Sequence, residues 1–340
     1  MKIKRWLILV LFISVSISLW GKKLAQLPDI SRPYQLWVDN QQFYVTEGAS
    51  VFIYSLQDFS LKKKFGTAGE GPQEFKIPPG TPGVLLYPLT DSLVINSLGK
   101  ISFYKKEGSF IKELKNPAGS MVSLYCPLGS QFVGLGTISE NQSSSYTFNI
   151  YDGNLAKIKE FHRLPMFQRG RMEFPGTPPI FYVSNNKIIV GGGRDELAIH
   201  IFDAKGSEVY SIKREYKRQK LTEDYKKGTF KFFSTNPATK QAFESMKHMI
   251  TFPDYFPPIQ YFFVDDQKIY IQTYKKKEVM DEFFIYDLKG KFLQRLFIPV
   301  EYLYGFMPYP IAIKNNTFYQ LVENLDGAEE IWELHAHPIN

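Results

Sequence analysis

Charged side chains suited to ligand binding fall in the segments between predicted β-strands. They are three arginines, two glutamates and one histidine: Arg169, Arg171, Arg194, Glu70, Glu74 and His248. A guanidinium group can hold a carboxylate or a phosphate through two parallel hydrogen bonds, so the arginines suit an acidic partner. The competing interpretation is that Glu74 and Arg171 only hold loops together. We treat the six residues as a candidate ligand-binding set.

The sequence contains no catalytic or metal-binding motif. Its histidines stand at positions 162, 200, 248, 335 and 337, and only the last two are close together. His335 and His337 would share one face of a terminal strand, but no third ligand lies near them in sequence. The motifs G-x-S-x-G and H-E-x-x-H and the Walker loop are absent. We therefore assign no catalytic residue and expect neither a bound metal nor a cofactor.

A repeated unit positions these segments. It consists of a β-run that ends near an aromatic residue, a turn and a second β-run. The aromatic position recurs, with spacings of 50, 47, 51, 84 and 46 residues, at Tyr54, Tyr104, Tyr151, Phe202, Tyr286 and Trp332. Four of the five spacings match one four-stranded blade, and the fifth contains an insertion. Six copies predict an all-β fold, a six-bladed β-propeller.

Turn residues and the end of the chain refine this prediction. Asp152, Asp203 and Asp287 follow the aromatic position and are expected to begin the tight turn between the third and fourth strands. The last copy ends near His337, which leaves no room for a fourth strand. We predict that residues 22–33 supply this strand beside the last β-run and close the ring.

The long spacing indicates a helical insertion between blades 4 and 5, at about residues 215–257. Asn236-Pro237 is typical of a helix start. Apolar residues then recur at helical spacing: Ala242, Phe243, Met246, Met249 and Ile250. A second helix around residues 222–232 is expected to be weaker, because Gly228 interrupts it. Blade geometry places the insertion on the same face as residues 65–80 and 164–178.

A glycine-rich stretch from Phe65 to Phe75 precedes the second blade. Its glycines and Pro72 suit a sharply turning connection that buries Phe75. A phosphate-binding loop is disfavoured, since no helix follows. With the β-runs up to residue 114, this stretch resembles the linker and blade of NHL-type repeats. Asn96 stands where that family usually has Asp, and Lys100 roughly where it often has Arg. The resemblance implies a six-bladed propeller of the type common in bacterial envelope proteins.

The N-terminus predicts export. Residues 1–21 combine Lys2, Lys4 and Arg5 with an apolar run and end in small residues, which is the pattern of a signal peptide. The run is shorter than the roughly 20 residues that a membrane-spanning helix needs. We expect a periplasmic or secreted protein, with an uncleaved N-terminal membrane anchor as the alternative. The single cysteine, Cys126, excludes an internal disulfide.

Charge and fold together define the expected function. The net charge of +7 comes without a long basic cluster, and export argues against nucleic-acid binding. Our first hypothesis is a monomeric, non-enzymatic module, residues 22–340, that binds a peptide, protein or glycan on its loop-rich face. The alternative is a hydrolase or lyase with its active site at the central channel. Convergent polar groups with a shifted pKa would favour the enzyme, and a channel filled by aromatic rings would favour the binding module.

Overall fold

The computed structural model describes residues 21–77, 81–117, 122–140, 143–168, 171–176, 179–236, 239–324 and 331–339. The predicted signal peptide lies outside this part of the chain apart from Gly21, and so does Arg169. Of the 28 described strands, 24 form six antiparallel sheets of four strands each, and the other four form two short pairs. The inner edge of every sheet contacts the sheets on both sides, and the first contacts the sixth. The sheets are therefore the blades of a closed six-bladed β-propeller, which confirms the predicted fold class.

Strands run in chain order from the channel to the rim of each blade, except for the first. That strand, β1 (Lys22–Leu27), forms the rim of blade 6. Blade 1 contains β2 (Gln35–Val38), β3 (Gln42–Glu47), β4 (Ser50–Ser55) and β5 (Leu61–Phe65). Blade 2 contains β6 (Leu85–Pro88), β7 (Ser92–Ser97), β8 (Lys100–Lys105) and β9 (Phe110–Lys115). Blade 3 contains β10 (Val122–Leu128), β11 (Gln131–Glu140), β12 (Ser143–Tyr151) and β13 (Lys157–Gln168).

The second half of the ring carries the additional elements. A short strand, β14 (Met172–Glu173), precedes blade 4, which contains β15 (Ile180–Ser184), β16 (Lys187–Gly191), β17 (Leu197–Asp203) and β18 (Glu208–Arg214). The insertion contains α1 (Glu223–Thr235), α2 (Phe243–Met246), a 3₁₀ turn (Lys247–Met249) and β19 (Ile250–Thr251). Blade 5 contains β20 (Tyr261–Asp265), β21 (Lys268–Lys277), β22 (Met280–Asp287) and β23 (Phe292–Pro299). A hairpin of β24 (Tyr302–Leu303) and β25 (Met307–Pro308) leads to blade 6, with β26 (Ile311–Lys314), β27 (Thr317–Asn324) and β28 (Ile331–Pro338).

Local turn chemistry fixes the hairpins. Asn185 and Asn186 both have positive φ, 49° and 57°, as the two-residue turn between β15 and β16 requires. In blade 4, the Asp203 carboxylate accepts hydrogen bonds from the backbone N–H groups of Lys205 (2.9 Å) and Ser207 (2.8 Å). Asp152 and Asp287 make the same contacts in blades 3 and 5. The predicted role of these aspartates at the turn after the third strand is confirmed.

The N-terminal strand closes the ring. β1 pairs antiparallel with β28, from Lys22 opposite Ala336 to Leu27 opposite Trp332, so the predicted closure is confirmed. The predicted match of Trp332 with the aromatic position of the other five repeats is wrong, however. In blade 5 the second residue of β21 pairs with Tyr286, whereas in blade 6 the second residue of β27 pairs with His337. Trp332 is the second residue of its strand, whereas Tyr286 lies next to the end of β22. A short aromatic pattern cannot show which end of a strand it marks.

The order of importance predicted for the two helices of the insertion is also wrong. α1 is the long helix, and the Thr222 hydroxyl caps its first turn by accepting from the N–H of Tyr225 (3.2 Å). Asn236 ends α1, and the later helix is a single turn. Gly228 is buried, and a Cβ there would lie 2.3 Å from the carbonyl oxygen of Tyr304. Close packing on the β24–β25 hairpin therefore outweighs the helix-propensity cost of glycine, about 1 kcal/mol.

Candidate functional site

A large cavity occupies the centre of the ring. Segments between blades and loops between second and third strands lie on one face, which we call the connector face; the remaining turns form the turn face. The cavity has a volume of about 1870 Å³ and extends from the connector face through the channel to residues of the turn face, such as Asn40 and Gln41. Drug-sized ligands occupy sites of about 300–1,000 Å³. The cavity is bordered by inner strands, by the β14 segment and by α1.

Three aromatic rings meet inside the channel. Trp37 of β2 contacts Tyr87 of β6 and Tyr182 of β15 edge-to-face, with ring centroids 5.6 Å and 6.1 Å apart. Blades 1 and 4 are opposite each other in a six-bladed ring, so the contact between Trp37 and Tyr182 spans the channel. We call these three residues the aromatic layer. It constricts the channel.

The hydroxyl of Tyr87 holds the aromatic layer in place. It accepts a hydrogen bond from the N–H of Val183 (2.9 Å) and donates one to the carbonyl oxygen of the same residue (2.8 Å). Val183 belongs to the inner strand of blade 4, whose channel edge pairs with no other described strand. Because Tyr87 satisfies both backbone groups, it ties blade 2 to blade 4 and covers an open strand edge.

Four other polar atoms at the cavity have no hydrogen-bond partner in the described part of the chain. The hydroxyls of Tyr34, Tyr182 and Tyr261 and the indole N–H of Trp37 make no hydrogen bond within the described residues. Tyr261 remains 40% exposed although it belongs to an innermost strand, because it faces the open cavity. Burial raises the pKa of Tyr34 to about 12 and also raises that of Tyr182, and Tyr261 adds to both increases. The hydroxyls therefore stay protonated at neutral pH and can donate and accept hydrogen bonds.

Most charged side chains around the cavity are paired with one another. Arg194, in the loop between β16 and β17, forms an ion pair with Glu173 of β14 on the connector face. Two further pairs join neighbouring blades on the turn face, Lys106 with Asp39 (2.9 Å) and Lys314 with Asp265 (2.7 Å). Each pair leaves little net charge for a ligand to meet.

The insertion covers one side of the cavity. Tyr225 and Phe232 of α1 border it directly. Two contacts hold the insertion to the segment before blade 4: Met172 of β14 pairs with Ile250 of β19, and the N–H of Phe174 donates to Thr251 (2.9 Å).

An aromatic cluster packs the insertion onto blade 5. The ring of Tyr225 lies 5.0 Å from that of Phe256 and 5.7 Å from that of Phe306, and Phe256 stacks on Tyr274 at 4.3 Å. Together with the strand pairing, this packing makes α1 a fixed wall.

The glutamates predicted as ligand contacts lie in the glycine-rich connector and do not border the cavity. Glu74 accepts a hydrogen bond from the N–H of Gly71 (2.8 Å), and Glu70 forms an ion pair with Lys76. Phe75, between these contacts, is fully buried as predicted. The structure thus gives both carboxylates partners within their own loop, and their role as ligand contacts stays a prediction.

Of the remaining predicted site residues, only Arg194 borders the cavity in the described part of the chain. Arg171 and His248 are exposed and lie outside the cavity wall. Arg169 lies outside the described residues. Among the five described residues of the predicted set, only Arg194 therefore lies at the cavity, although it contacts the segment that carries Arg171 through Glu173.

A buried carboxylate lies behind the cavity wall. Asp281 is fully buried, and burial raises its pKa despite the ammonium group of Lys276 at 3.3 Å. Gln272 donates to it at 2.7 Å, and Tyr302 also bonds to it. The Tyr302 hydroxyl lies 3.1 Å from Gln260, which borders the cavity. Asp281 itself does not reach the cavity surface, so a ligand there would not touch it.

Sequence reasoning missed the cavity tyrosines, although one signal was available. Tyr182 and Tyr261 lie in the first strand of their repeat units, and the first strand of a blade is the innermost. Every second residue of such a strand can face the channel. Aromatic residues at these positions could have been singled out before the structure, as could Trp37 in the first strand of blade 1.

The described residues contain neither a metal-binding cluster nor a long apolar helix. No three His, Cys, Asp or Glu side chains come together in a metal-binding arrangement there. No helix in the described ranges has both the length and the apolar character needed to cross a membrane.

Comparison with known proteins gives only distant similarities. No known family model matches the chain. No curated protein sequence matches it. The WD40 domain of Neurospora crassa Pan2 is 8% identical, with a TM-score of 0.45 over 90% of this chain and 80% of that one. KlHsv2 with loop 6CD replaced by a Gly-Ser linker is 12% identical, with a TM-score of 0.39 over 91% of this chain and 98% of that one. A eukaryotic initiation factor is 14% identical, with a TM-score of 0.33 over 79% of this chain and 55% of that one. Similarity at this level assigns no function.

Proposed function

We propose that this protein is a non-enzymatic, exported binding module that takes its ligand into the central cavity from the connector face. The observation that carries the proposal is the open cavity, on whose wall the hydroxyls of Tyr34, Tyr182 and Tyr261 have no partner among the described residues. Binding sites are mostly apolar concavities with a few placed polar groups, and this cavity has that composition. The protein acts as a monomer in this proposal, and its partner is an envelope or extracellular peptide, protein or glycan.

The aromatic layer supports binding over catalysis. A hydrolase or lyase at the channel would need titratable groups that reach the substrate. Asp281 has the raised pKa of a candidate acid, but it is fully buried behind Gln260 and Tyr302. The enzyme alternative predicts that Asp281→Asn abolishes turnover of a cavity ligand, whereas the binding proposal predicts no turnover in either protein.

A cavity-blocking substitution tests the proposal. Gly176 borders the cavity, and a Cβ there would have its nearest neighbour at 3.6 Å, so a side chain can start at this position without a close contact. We expect Gly176→Trp to place its indole at the rim of the cavity and to narrow the entrance. Gly153, on the turn face, provides the matched control Gly153→Trp. Immobilised wild-type protein and the control should retain the same component of an envelope extract, and Gly176→Trp should lose it. Equal retention by all three proteins would show that the cavity is not the site.

Export is part of the proposal. The first strand begins at Lys22, so removal of residues 1–21 leaves every described strand intact. Mass analysis of the native protein should find a chain that starts near residue 22 in a periplasmic or extracellular fraction. A chain that starts at Met1 in a membrane fraction would support the N-terminal anchor instead.

The NHL-type assignment is proposed on two polar anchors of blade 2. The side-chain amide of Asn96 bonds to both backbone groups of Tyr125 in the next blade, at 2.7 Å and 3.1 Å. The ammonium group of Lys100 donates to the carbonyl oxygen of Gly71 (2.8 Å) and to Glu113 (2.9 Å). Asn96 and Lys100 stand where NHL-type repeats have an acidic and a basic residue. Asn96 ties blade 2 to blade 3, and Lys100 ties blade 2 to the glycine-rich connector.

A further inference from the structure

We infer that the ligand of the central cavity is a neutral oligosaccharide. This inference rests on the proposed binding function and names the chemical class that the cavity wall suits best. It differs from the acidic partner expected from the arginines of the sequence. The cavity wall is balanced in charge and rich in aromatic rings with polar edges, and the cavity is large enough for several sugar units.

The charge balance of the wall disfavours an acidic ligand. Four basic and four acidic side chains border the cavity among the described residues: Arg32, Lys106, Arg194, Lys314, Asp39, Glu173, Asp265 and Glu323. Six of them form the three ion pairs described above. A nucleic acid or an acidic peptide requires clustered basic groups that are free to meet it. Of the four basic groups, only Arg32 has no ion pair within the described residues, so such a ligand would meet one isolated guanidinium and would have to separate Arg194 from Glu173 to gain a second. A neutral ligand leaves every pair intact.

The aromatic part of the wall matches a sugar ring. Tyr34, Trp37, Tyr182 and Tyr261 combine apolar ring faces with hydroxyl or N–H groups that no described residue occupies. A pyranose has the complementary surface, with C–H groups on its faces and hydroxyl groups around its edge. The C–H faces bury apolar area against the rings, and the hydroxyls exchange hydrogen bonds with the phenols.

A neutral peptide fits the same wall less well. Peptides that bind β-proteins in extended form pair with the open edge of a strand. The channel edge of blade 4 is already occupied at Val183, because Tyr87 bonds to both of its backbone groups. The cavity volume of about 1870 Å³ also exceeds the range of about 300–1,000 Å³ for drug-sized ligands, which favours a chain of several units over a monosaccharide.

The primary test is a printed array that carries neutral oligosaccharides, acidic oligosaccharides, and neutral and acidic peptides of similar length. The protein is the chain from residue 22 to 340, which contains every described strand. Its only tryptophans are Trp37 and Trp332, and both border the cavity, so intrinsic fluorescence reports directly on occupancy. We expect at least one neutral oligosaccharide to bind and to change this fluorescence, and no acidic compound to do so.

Four variants locate the binding. Tyr182→Phe removes one hydroxyl and should weaken the affinity about 3- to 10-fold. Tyr261→Ala removes a ring face and should weaken it at least about tenfold. Arg194→Ala should change it less than about threefold, because the ligand carries no charge. Tyr255→Ala is the matched control, since Tyr255 is 45% exposed and does not border the cavity. Thermal melting checks that each variant folds. If Tyr261→Ala does not, Tyr261→Phe replaces it; this variant keeps the ring and removes only the hydroxyl, so it should weaken the affinity about 3- to 10-fold.

The outcomes separate this inference from the proposed function. If the array shows only acidic compounds or peptides bound, and their binding depends on Tyr261, the saccharide assignment is wrong and the binding function stands. If no neutral saccharide binds, the assignment is equally wrong. If a saccharide binds with the same affinity to wild type, Tyr261→Ala and Gly176→Trp, the ligand lies elsewhere and both the assignment and the cavity function fail.

Discussion

Two connectors on one face of the propeller use their polar side chains in opposite ways. The connector between blades 1 and 2 directs its polar groups inward. Glu74 bonds to the N–H of Gly71, and Lys100 of blade 2 bonds to the carbonyl oxygen of Gly71. Gly66 has φ of 87°, and a Cβ there would lie 2.6 Å from the ring of Phe75, so only glycine allows this ring to pack. The polar groups of this connector therefore stabilise the loop itself and its attachment to blade 2.

The segment before blade 4 and the insertion after it form a different kind of connection. They pack on each other through β14 and β19 and border an open cavity instead of filling it. Their polar groups are paired at the rim, as in Arg194 with Glu173, while the tyrosine hydroxyls deeper in the cavity have no partner within the described chain. The comparison shows that charge in a loop does not mark a site. A site is marked by polar groups that the fold leaves unoccupied next to a space that a ligand can enter.

Truncation of the aromatic plug gives the largest expected effect. Phe75 is fully buried, so Phe75→Ala should lower the free energy of unfolding by about 3–5 kcal/mol. Phe230 of α1 is 36% exposed, and Phe230→Ala should cost less than about 1 kcal/mol. Chemical denaturation of both variants measures the difference. Equal costs would mean that the two connectors contribute alike to the stability of the ring.

A methyl group at Gly228 should loosen the insertion and leave the ring in place. Its Cβ would meet the Tyr304 carbonyl at 2.3 Å, so Gly228→Ala should cost about 1–3 kcal/mol even though alanine favours a helix. The expected result is faster hydrogen exchange in α1 with unchanged exchange in the blades. Lys227→Ala, an exposed change in the same helix, should leave the exchange of α1 unchanged. Protection of α1 that survives Gly228→Ala would contradict the close contact.

The fold could be predicted from the sequence because its signals are local and repeated. The spacing of residues such as Tyr54, Tyr104 and Tyr151 reflects one blade each, and Asp152 or Asp203 marks a turn by its own backbone contacts. Closure followed from the missing fourth strand of the last blade. The sequence did not predict the strand register of the last repeat, because Trp332 fits the repeat pattern equally well at either end of a strand.

The site could not be predicted because its parts are distant in sequence. Trp37, Tyr87 and Tyr182 meet only after the ring closes, since they come from blades 1, 2 and 4. Nor does a sequence show which charges are paired: Arg194 and Glu173 are 21 residues apart and belong to different connections. Tertiary packing also determines which helix of the insertion is the long one. Gly228 lets α1 pack closely against the carbonyl oxygen of Tyr304, which a sequence does not show.

Two polar substitutions sharpen the comparison between the connectors. Glu74→Ala removes the acceptor of the Gly71 N–H and should lower stability by about 1 kcal/mol while cavity binding stays unchanged. Arg194→Ala removes a partly exposed ion pair at the cavity rim, so its effect on stability should stay within about 0.5 kcal/mol. Thermal melting and ligand titration on the same preparations measure both quantities. Loss of ligand binding in Glu74→Ala, with little loss of stability, would place a site at the glycine-rich connector instead.

Acidification should give the smallest effect and should act on the ring and not on the cavity. Burial lowers the pKa of His162, and the neighbouring His200, with its ring 5.1 Å away, lowers it further. The negative charge of Glu208 opposes this decrease. In the unfolded chain His162 takes up a proton near pH 6.5, but in the fold it does so only at lower pH. Its contribution is therefore fully present above pH 6.5 and is lost as the pH falls through the lower folded value.

The measurement is the melting temperature between pH 8 and pH 5. His162→Phe should flatten its pH dependence by no more than about 2–4 °C, the change that 1 kcal/mol produces in a domain of about 150–250 residues. His248→Gln, at an exposed position, should retain the wild-type dependence. Ligand affinity should stay constant over the same range, because the pKa of Tyr34 is about 12 and its hydroxyl keeps its proton. An affinity that follows the melting temperature downwards would show that the cavity depends on the contact between blades 3 and 4, which would remove the separation between ring and site.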